Sequence, residues 1–332
     1  MSTVRNVLLK LKGLRAYSSR RFKTQLPGPL SVQIQTINRC NGSCRMCPYS
    51  TLHKLEPPAI MDEMLYSKIL EDLYRAGTVR RFILTLQNEP LLDPGLVRRV
   101  VRAREILGNS VDIGLVTNGT LLNEKLYDDL VCTGLNIIVV SIDAFYEDTY
   151  RAVRPELDFS EVVANVHMLL QRNHNTRVAV KFVRQKANAR EEKQFVQYWK
   201  SHRAGIFTSS LVNRAGLLAG FEHMRGSSIG VRTRCIKAVR DRFFPSCLIP
   251  FTTLNVLCDG RVILCCDDWG PIDTVGDLSS QPLPDVWNGA VINSYRNLLY
   301  NNKAGESFVC KDCSVTRRHR RGVDGYGVSP FT

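Results

Sequence analysis

The sequence predicts an α/β fold: a partial (β/α)6 TIM-like barrel followed by a small C-terminal domain. Three observations predict it. Near-continuous apolar runs alternate with helical patterns through the middle of the chain. Polar residues collect just behind those runs. Most of the 11 cysteines fall in two groups, one behind the first run and one near the C-terminus.

The strand-like runs cover 30–37, 80–87, 111–118, 136–143, 177–185 and 205–211. Helix-like runs fall between and behind them at 62–76, 94–107, 123–133, 160–172 and 190–203. Apolar strands alternating with helices imply a parallel sheet with helices outside. Right-handed crossovers curl successive units around one axis, and six units leave the barrel open on one side. Chemistry in such a barrel collects at the C-terminal strand ends. Cys40, Asn88, Asn118, Asp143 and Asn213 all follow strand ends. The expected division is a basic segment 1–29, the barrel 30–215, a connection 216–244, a C-terminal cysteine domain 245–314 and a basic tail 315–332.

Composition is that of a globular protein, with 44% hydrophobic and 23% charged residues in 332. No apolar run approaches the roughly 20 residues of a membrane span. The N-terminus has neither an apolar h-region nor a small-residue cleavage site, so a reducing, cytoplasmic compartment is expected. Thiols clustered at short spacing are then ligands rather than staples. No Asp or Glu precedes Glu56, against ten Lys or Arg. Val4, Val7, Leu8, Leu11 and Leu14 fall at helical spacing, giving a basic amphipathic helix over 3–17. It reads as a solvated helix on the barrel, as a weak membrane-surface or acidic-partner contact, or as a transit-peptide-like pattern. Arg317 to Arg321 (RRHRR) reads as a solvated tail. The net charge of +14 favours an anionic or phosphorylated substrate, and no nucleic acid partner is expected.

The stretch RCNGSCRMCPYS places Cys40, Cys44 and Cys47 directly behind the first strand. Three thiolates on a 4Fe–4S cluster leave one iron open for another ligand. Three cysteines with His53 could instead hold zinc. Gly42 permits a tight wrap, and loop N–H groups offset the negative charge of a cluster.

CNGSCRMC resembles the CxxxCxxC signature of the radical S-adenosylmethionine (SAM) superfamily, with Met46 where an aromatic residue is frequent. LQNEPLL (86–92) resembles that family's Gly-Gly-Glu-Pro motif, with Gln87 and Asn88 replacing both glycines. LVTNGTLL, VSIDA, YRAVRP and NRAG follow in the family's order, and the likeness covers about residues 30–215. The resemblance implies that Glu89 holds the SAM amino group and that Ser141 or Asp143 faces the ribose. It also implies that Arg154 reaches the carboxylate and that Asn118 joins the same site. Purely structural readings remain open: Glu89 as a turn acid, Asp143 as a helix cap, Arg154 in a surface pair.

In the second group, Cys247 lies twelve residues before Asp259-Gly260, and Cys265 follows Gly260 after four more. Cys310 and Cys313 form a later C-x-x-C. Asp-Gly between apolar runs signals a hairpin. The pattern resembles the auxiliary-cluster domains called SPASM and Twitch. That implies one auxiliary 4Fe–4S cluster held by Cys247, Cys265, Cys310 and Cys313, with Cys266 able to exchange roles with Cys265; a four-cysteine structural zinc is the alternative. Cys132 reads as a buried apolar residue. Cys235, Cys258 and Cys266 are left over, and Cys258 or Cys266 is a candidate hydrogen donor to a substrate radical.

The function implied is reductive SAM cleavage followed by hydrogen abstraction from a small-molecule substrate of carbohydrate type: a sugar, aminocyclitol or nucleotide-sugar. Net oxidation is expected, with epimerisation or carbon–carbon bond formation as alternatives. Ribosomal peptide modification is less expected, since about 29 residues before the first strand are too few for a leader-binding domain. A non-enzymatic iron–sulfur protein is the remaining alternative. An external donor such as flavodoxin or ferredoxin supplies electrons.

Overall fold

The computed structural model describes residues 26–172, 175–226, 245–270, 274–307 and 309–316. The expected helix over 3–17, Cys235 and the tail 317–321 lie outside the described residues.

Six parallel strands form the barrel wall: β1 Ser31–Ile34, β2 Arg81–Ile83, β3 Asp112–Thr117, β4 Ile137–Ser141, β5 Arg177–Arg184 and β6 Gly205–Ser210. Every residue of β4 (IIVVS) is buried, as expected of a strand covered on both faces. Helices Glu63–Ala76, Leu96–Leu107, Glu124–Val131, Phe159–Gln171 and Glu192–Ser201 occupy the five anticipated positions. The first begins where Asp62 accepts the N–H groups of Met64 and Leu65, and it ends at left-handed Gly77. It buries Tyr66, Ile69, Leu70 and Leu73 against the sheet. Among the described residues, no helix is long and apolar enough to cross a membrane.

The C-terminal segment does not build a sheet of its own. β7 Thr253–Val256, β8 Arg261–Ile263 and β9 Thr274–Asp277 extend the barrel sheet, whose order is β6-β5-β4-β3-β2-β1-β7-β8-β9. β7 runs parallel to β1, in register from Ser31↔Thr253 to Ile34↔Val256. The anticipated Asp-Gly hairpin joins β7 to β8, with Gly260 at φ +94°. Helices Leu283–Trp287 and Ala290–Tyr300, not anticipated from sequence, bury Val286, Trp287, Ile292 and Leu299 in the main core.

The sheet stays open between β6 and β9, and loops bridge part of that gap. Asn213, just behind β6, donates from Nδ2 to the Asp312 carbonyl (2.7 Å) and accepts the Ser314 N–H at Oδ1 (2.7 Å). Arg214 Nη1 meets Asp267 Oδ1 at 2.5 Å. One expectation needs correction: Cys132 is exposed. Its helix ends at Val131 and buries Tyr127 and Leu130, so Cys132 falls on the solvent side as the cap.

Candidate active site

Behind β1 the chain leaves the sheet and winds through Cys40, Cys44 and Cys47. The Cys47 N–H donates to the Cys44 carbonyl (3.0 Å), closing a turn, and the Arg45 N–H donates to the Val153 carbonyl (3.1 Å). The Gly42 N–H points at Cys40 Sγ (3.5 Å), and Arg154 Nη1 at Cys44 Sγ (3.5 Å). Burial pushes the Cys40 thiol up to about 12. Cys44 and Cys47 are raised by burial too, with Arg154 and Arg214 respectively pulling them back. Three enclosed thiols within electrostatic reach of one another resist ionisation unless a cationic centre compensates them, which is what iron supplies. Gly42 is needed for packing rather than for a left-handed turn, since a Cβ there would sit 3.1 Å from Leu157. Met46 packs with Val153, Leu211, Leu218 and Phe221. His53 is not offered as a fourth ligand. Its Nδ1 meets Glu56 Oε1 (2.7 Å) and its Nε2 the Trp269 carbonyl (3.1 Å).

Glu89 lies behind β2 and is 2% exposed. It accepts from Thr117 Oγ1 (2.6 Å), the Asn118 N–H (2.7 Å) and the Leu91 N–H (3.1 Å). Burial still outweighs these donors and raises its carboxyl to about 6. A buried Arg99–Asp93 pair (3.0 Å) anchors the short turn that follows. Asn118 Nδ2 donates to Asn41 Oδ1 (2.7 Å), tying the end of β3 to the cysteine loop. Gln87 adopts φ +58°, the left-handed backbone that glycine takes without penalty. Its amide donates to the Asp268 carbonyl (2.7 Å), a contact to the C-terminal segment that glycine would lack.

Asp143, behind β4, is fully enclosed. Its Oδ1 accepts the Val183 N–H (2.5 Å), while Oδ2 takes Nε (3.0 Å) and Nη2 of Arg154. Burial alone would lower the Arg154 pKa, but Asp143 overrides it and the net direction is up. These contacts commit Asp143 to holding Arg154. Arg154, in turn, is aimed at the cysteine loop rather than at solvent.

Cys247, Cys265, Cys310 and Cys313 line one cavity with Ile249, Pro250, Leu264 and Val309. A four-sulfur donor set within an apolar shell fits a closed iron–sulfur cluster. Cys265 faces this cavity and Cys266 does not. The charges Cys266 feels are Asp267, which also lines the thiol cavity, and Arg214 and Lys181. Cys258 is not part of this group: it lines a separate cavity with Gln35, His53, Gln87 and Trp269. Arg214 feels both Cys47 and Cys266, so it stands between the two cysteine groups.

Sequence reasoning missed Lys181, Arg214 and Asp267. A signal for Lys181 was present: it is the one charge inside the run VAVKFV, at a position that alternation sends into the barrel.

Parallel strands curled around thiols at their C-terminal ends, with a second thiol cavity alongside, define the class: barrel enzymes built around iron–sulfur centres. Comparison with known proteins takes this further. Residues 34–183 match the radical SAM superfamily, and residues 247–314 match an iron–sulfur cluster-binding domain, SPASM. The chain is 22% identical to an S-adenosyl-L-methionine-dependent 2-deoxy-scyllo-inosamine dehydrogenase of Niallia circulans, over 85% of this chain and 92% of that one. It is 32% identical to a GTP 3',8-cyclase of Acaryochloris marina, over 37% of each chain. Among solved structures it is similar to BtrN in complex with AdoMet and 2-DOIA (TM-score 0.59, 20% identity, 86% of this chain and 93% of that one). It is also similar to Streptococcus suis SuiB bound to S-adenosylmethionine (TM-score 0.67, 13% identity, 94% of this chain and 76% of that one). The chain belongs to the radical SAM superfamily and carries a SPASM domain; it is an enzyme that uses 4Fe–4S clusters and SAM.

Proposed function

We propose that the protein dehydrogenates a carbohydrate-type substrate, a sugar, aminocyclitol or nucleotide-sugar, in a biosynthetic pathway. The observation that carries the reading is the second thiol cavity. It engages four cysteines at once, leaving no iron open for substrate, and it adjoins the loop 213–216 at the barrel mouth. A closed cluster so placed suits electron acceptance. Likeness along most of the chain to a dehydrogenase of an aminocyclitol supports the same reading.

When bound, the SAM-binding cluster with SAM supplies a 5'-deoxyadenosyl radical, and the auxiliary cluster supplies an electron acceptor. Cys40, Cys44 and Cys47 would hold the first, three thiolates for a cluster that takes four ligands. Glu89 offers a buried carboxylate to the SAM amino group, with Asn118 fixing the loop beside it. Arg154, oriented by Asp143, offers its guanidinium to the carboxylate, and Ser141 lies toward the ribose. Cys247, Cys265, Cys310 and Cys313 hold the auxiliary cluster. The apolar barrel interior of Val116, Ile137, Val139 and Ala179 keeps water from the reacting carbon. With both groups bound, a CH–OH unit of the substrate would lose one hydrogen to the deoxyadenosyl radical, a second as a proton, and one electron to the auxiliary cluster as acceptor. Flavodoxin or ferredoxin delivers electrons from outside.

One observation favours a second reading. Cys266 faces Lys181 and Arg214 rather than the cluster cavity, as a hydrogen donor in an epimerisation would. The test is incubation of reduced, reconstituted protein with SAM and candidate sugars or cyclitols in deuterated water. Products two mass units lighter, with no solvent deuterium, are expected. Products one unit heavier, lost in Cys266→Ala, would establish epimerisation instead.

A further inference from the structure

Lys181 sits in the middle of β5, paired with Ser141 on β4 and Phe207 on β6. Its flanking residues Val180 and Phe182 are fully buried on the helix side. Ala179, two residues earlier, packs inside the barrel with Ile137 and Val139. Strand alternation therefore sends the Lys181 side chain into the barrel, one layer above an apolar floor. It is half-buried.

The charges around it do not balance. Its neighbours are Asp143, Arg214, Arg154 and Cys266. The one carboxylate among them, Asp143, is committed to Arg154 and the Val183 N–H, and Arg214 in turn pairs with Asp267. Among the described residues, no hydrogen bond or ion pair engages Lys181 Nζ. A second donor is also unengaged, since Arg214 Nε is buried with no partner among the described residues. Two cations with spare donors thus lie together, and the carboxylates beside them are already paired. An enclosed ammonium is retained where something pairs with it, and an oxyanion is the complementary group.

We propose that Lys181, seconded by Arg214, is the anchor for an anionic group on the substrate, a phosphate or carboxylate carried by the sugar or cyclitol ring. This rests on the reading of the barrel interior as the substrate chamber. It narrows the substrate class from a neutral or amino ring to an acidic one. The apolar floor below Lys181 then limits how far the ring descends, and the anchor fixes which carbon faces SAM.

The test is calorimetric titration of reconstituted, SAM-bound, unreduced enzyme with myo-inositol 1-phosphate, glucuronate and myo-inositol, for the wild type, Lys181→Gln and Lys181→Arg. At least one acidic ring should bind on the order of 30-fold tighter than myo-inositol. That preference should vanish in Lys181→Gln and persist in Lys181→Arg. Which acidic ring prevails distinguishes phosphate from carboxylate. Equal or undetectable binding of all three by the wild type overturns the proposal, whether or not the variants fold. So does a preference that survives in Lys181→Gln. Because no reductant is present, the readout is independent of turnover. Acidic rings that bind but are not oxidised would defeat the proposed dehydrogenation and leave this inference standing.

Discussion

Glu89 carries the clearest pH signature of the site. Its carboxyl is raised to about 6 because burial penalises the anion more than three hydrogen bonds favour it. In the window from its ordinary value of 4.5 up to about 6, the folded state holds more protons than the unfolded state. Stability therefore falls as pH rises through that window, by about 2 kcal/mol from this group. Glu89→Gln should remove that slope in urea melts of cluster-free protein between pH 4.5 and 7. Parallel wild-type and variant profiles would disprove the assignment. The Asp143–Arg154 pair makes a different prediction. Arg154→Ala leaves a fully buried carboxylate without its partner and should cost about 3 kcal/mol or more. Asp143→Asn combined with Arg154→Ala should cost less than the sum of the two single changes, since both remove one interaction. Additive losses in a denaturation cycle would show that the pair does not act as a unit.

At the level of elements, the two cysteine groups are held in different ways. The first is one loop behind β1, and the second needs a helix start, a hairpin end and a C-x-x-C to meet around one cavity. Reconstituted wild type is expected to hold about eight irons, four per cluster. Replacing Cys40, Cys44 and Cys47 together by Ala should leave about four. Cys265→Ala should also leave about four, whereas Cys266→Ala should keep about eight, because only Cys265 faces the cavity. Iron lost from Cys266→Ala and retained in Cys265→Ala would reverse that assignment.

Over the whole molecule, barrel and SPASM segment share one sheet. β1 lies between β2 and β7, and its Val32 and Ile34 are fully buried. A chain cut after residue 244 would expose the β1 edge and the core face that β7 covers. Such an edge is an aggregation hazard. The truncated protein is expected in the insoluble fraction, and a soluble monomer with cooperative melting would show the barrel to be self-sufficient.

Local pattern alone determined a good deal. Apolar runs of strand length, helical periodicity and the Asp-Gly turn act over a few residues, so the six barrel strands, five helices and the hairpin were legible. Cys40, Cys44 and Cys47 were legible as a group because all three lie on one loop. Tertiary structure alone decided the rest, because each remaining feature depends on elements far apart in sequence. β7 joins β1 across more than 200 residues. Asp143 turns out to hold Arg154 because Val183 and Arg154 converge on it. Cys265 and Cys266 are neighbours whose opposite facings follow from where the chain bends after β8. In the sequence Lys181 is a single charge within an apolar strand, with nothing to say what surrounds it. It becomes an unbalanced charge only once the barrel closes around it and its neighbouring acids are taken by arginines from other strands' loops.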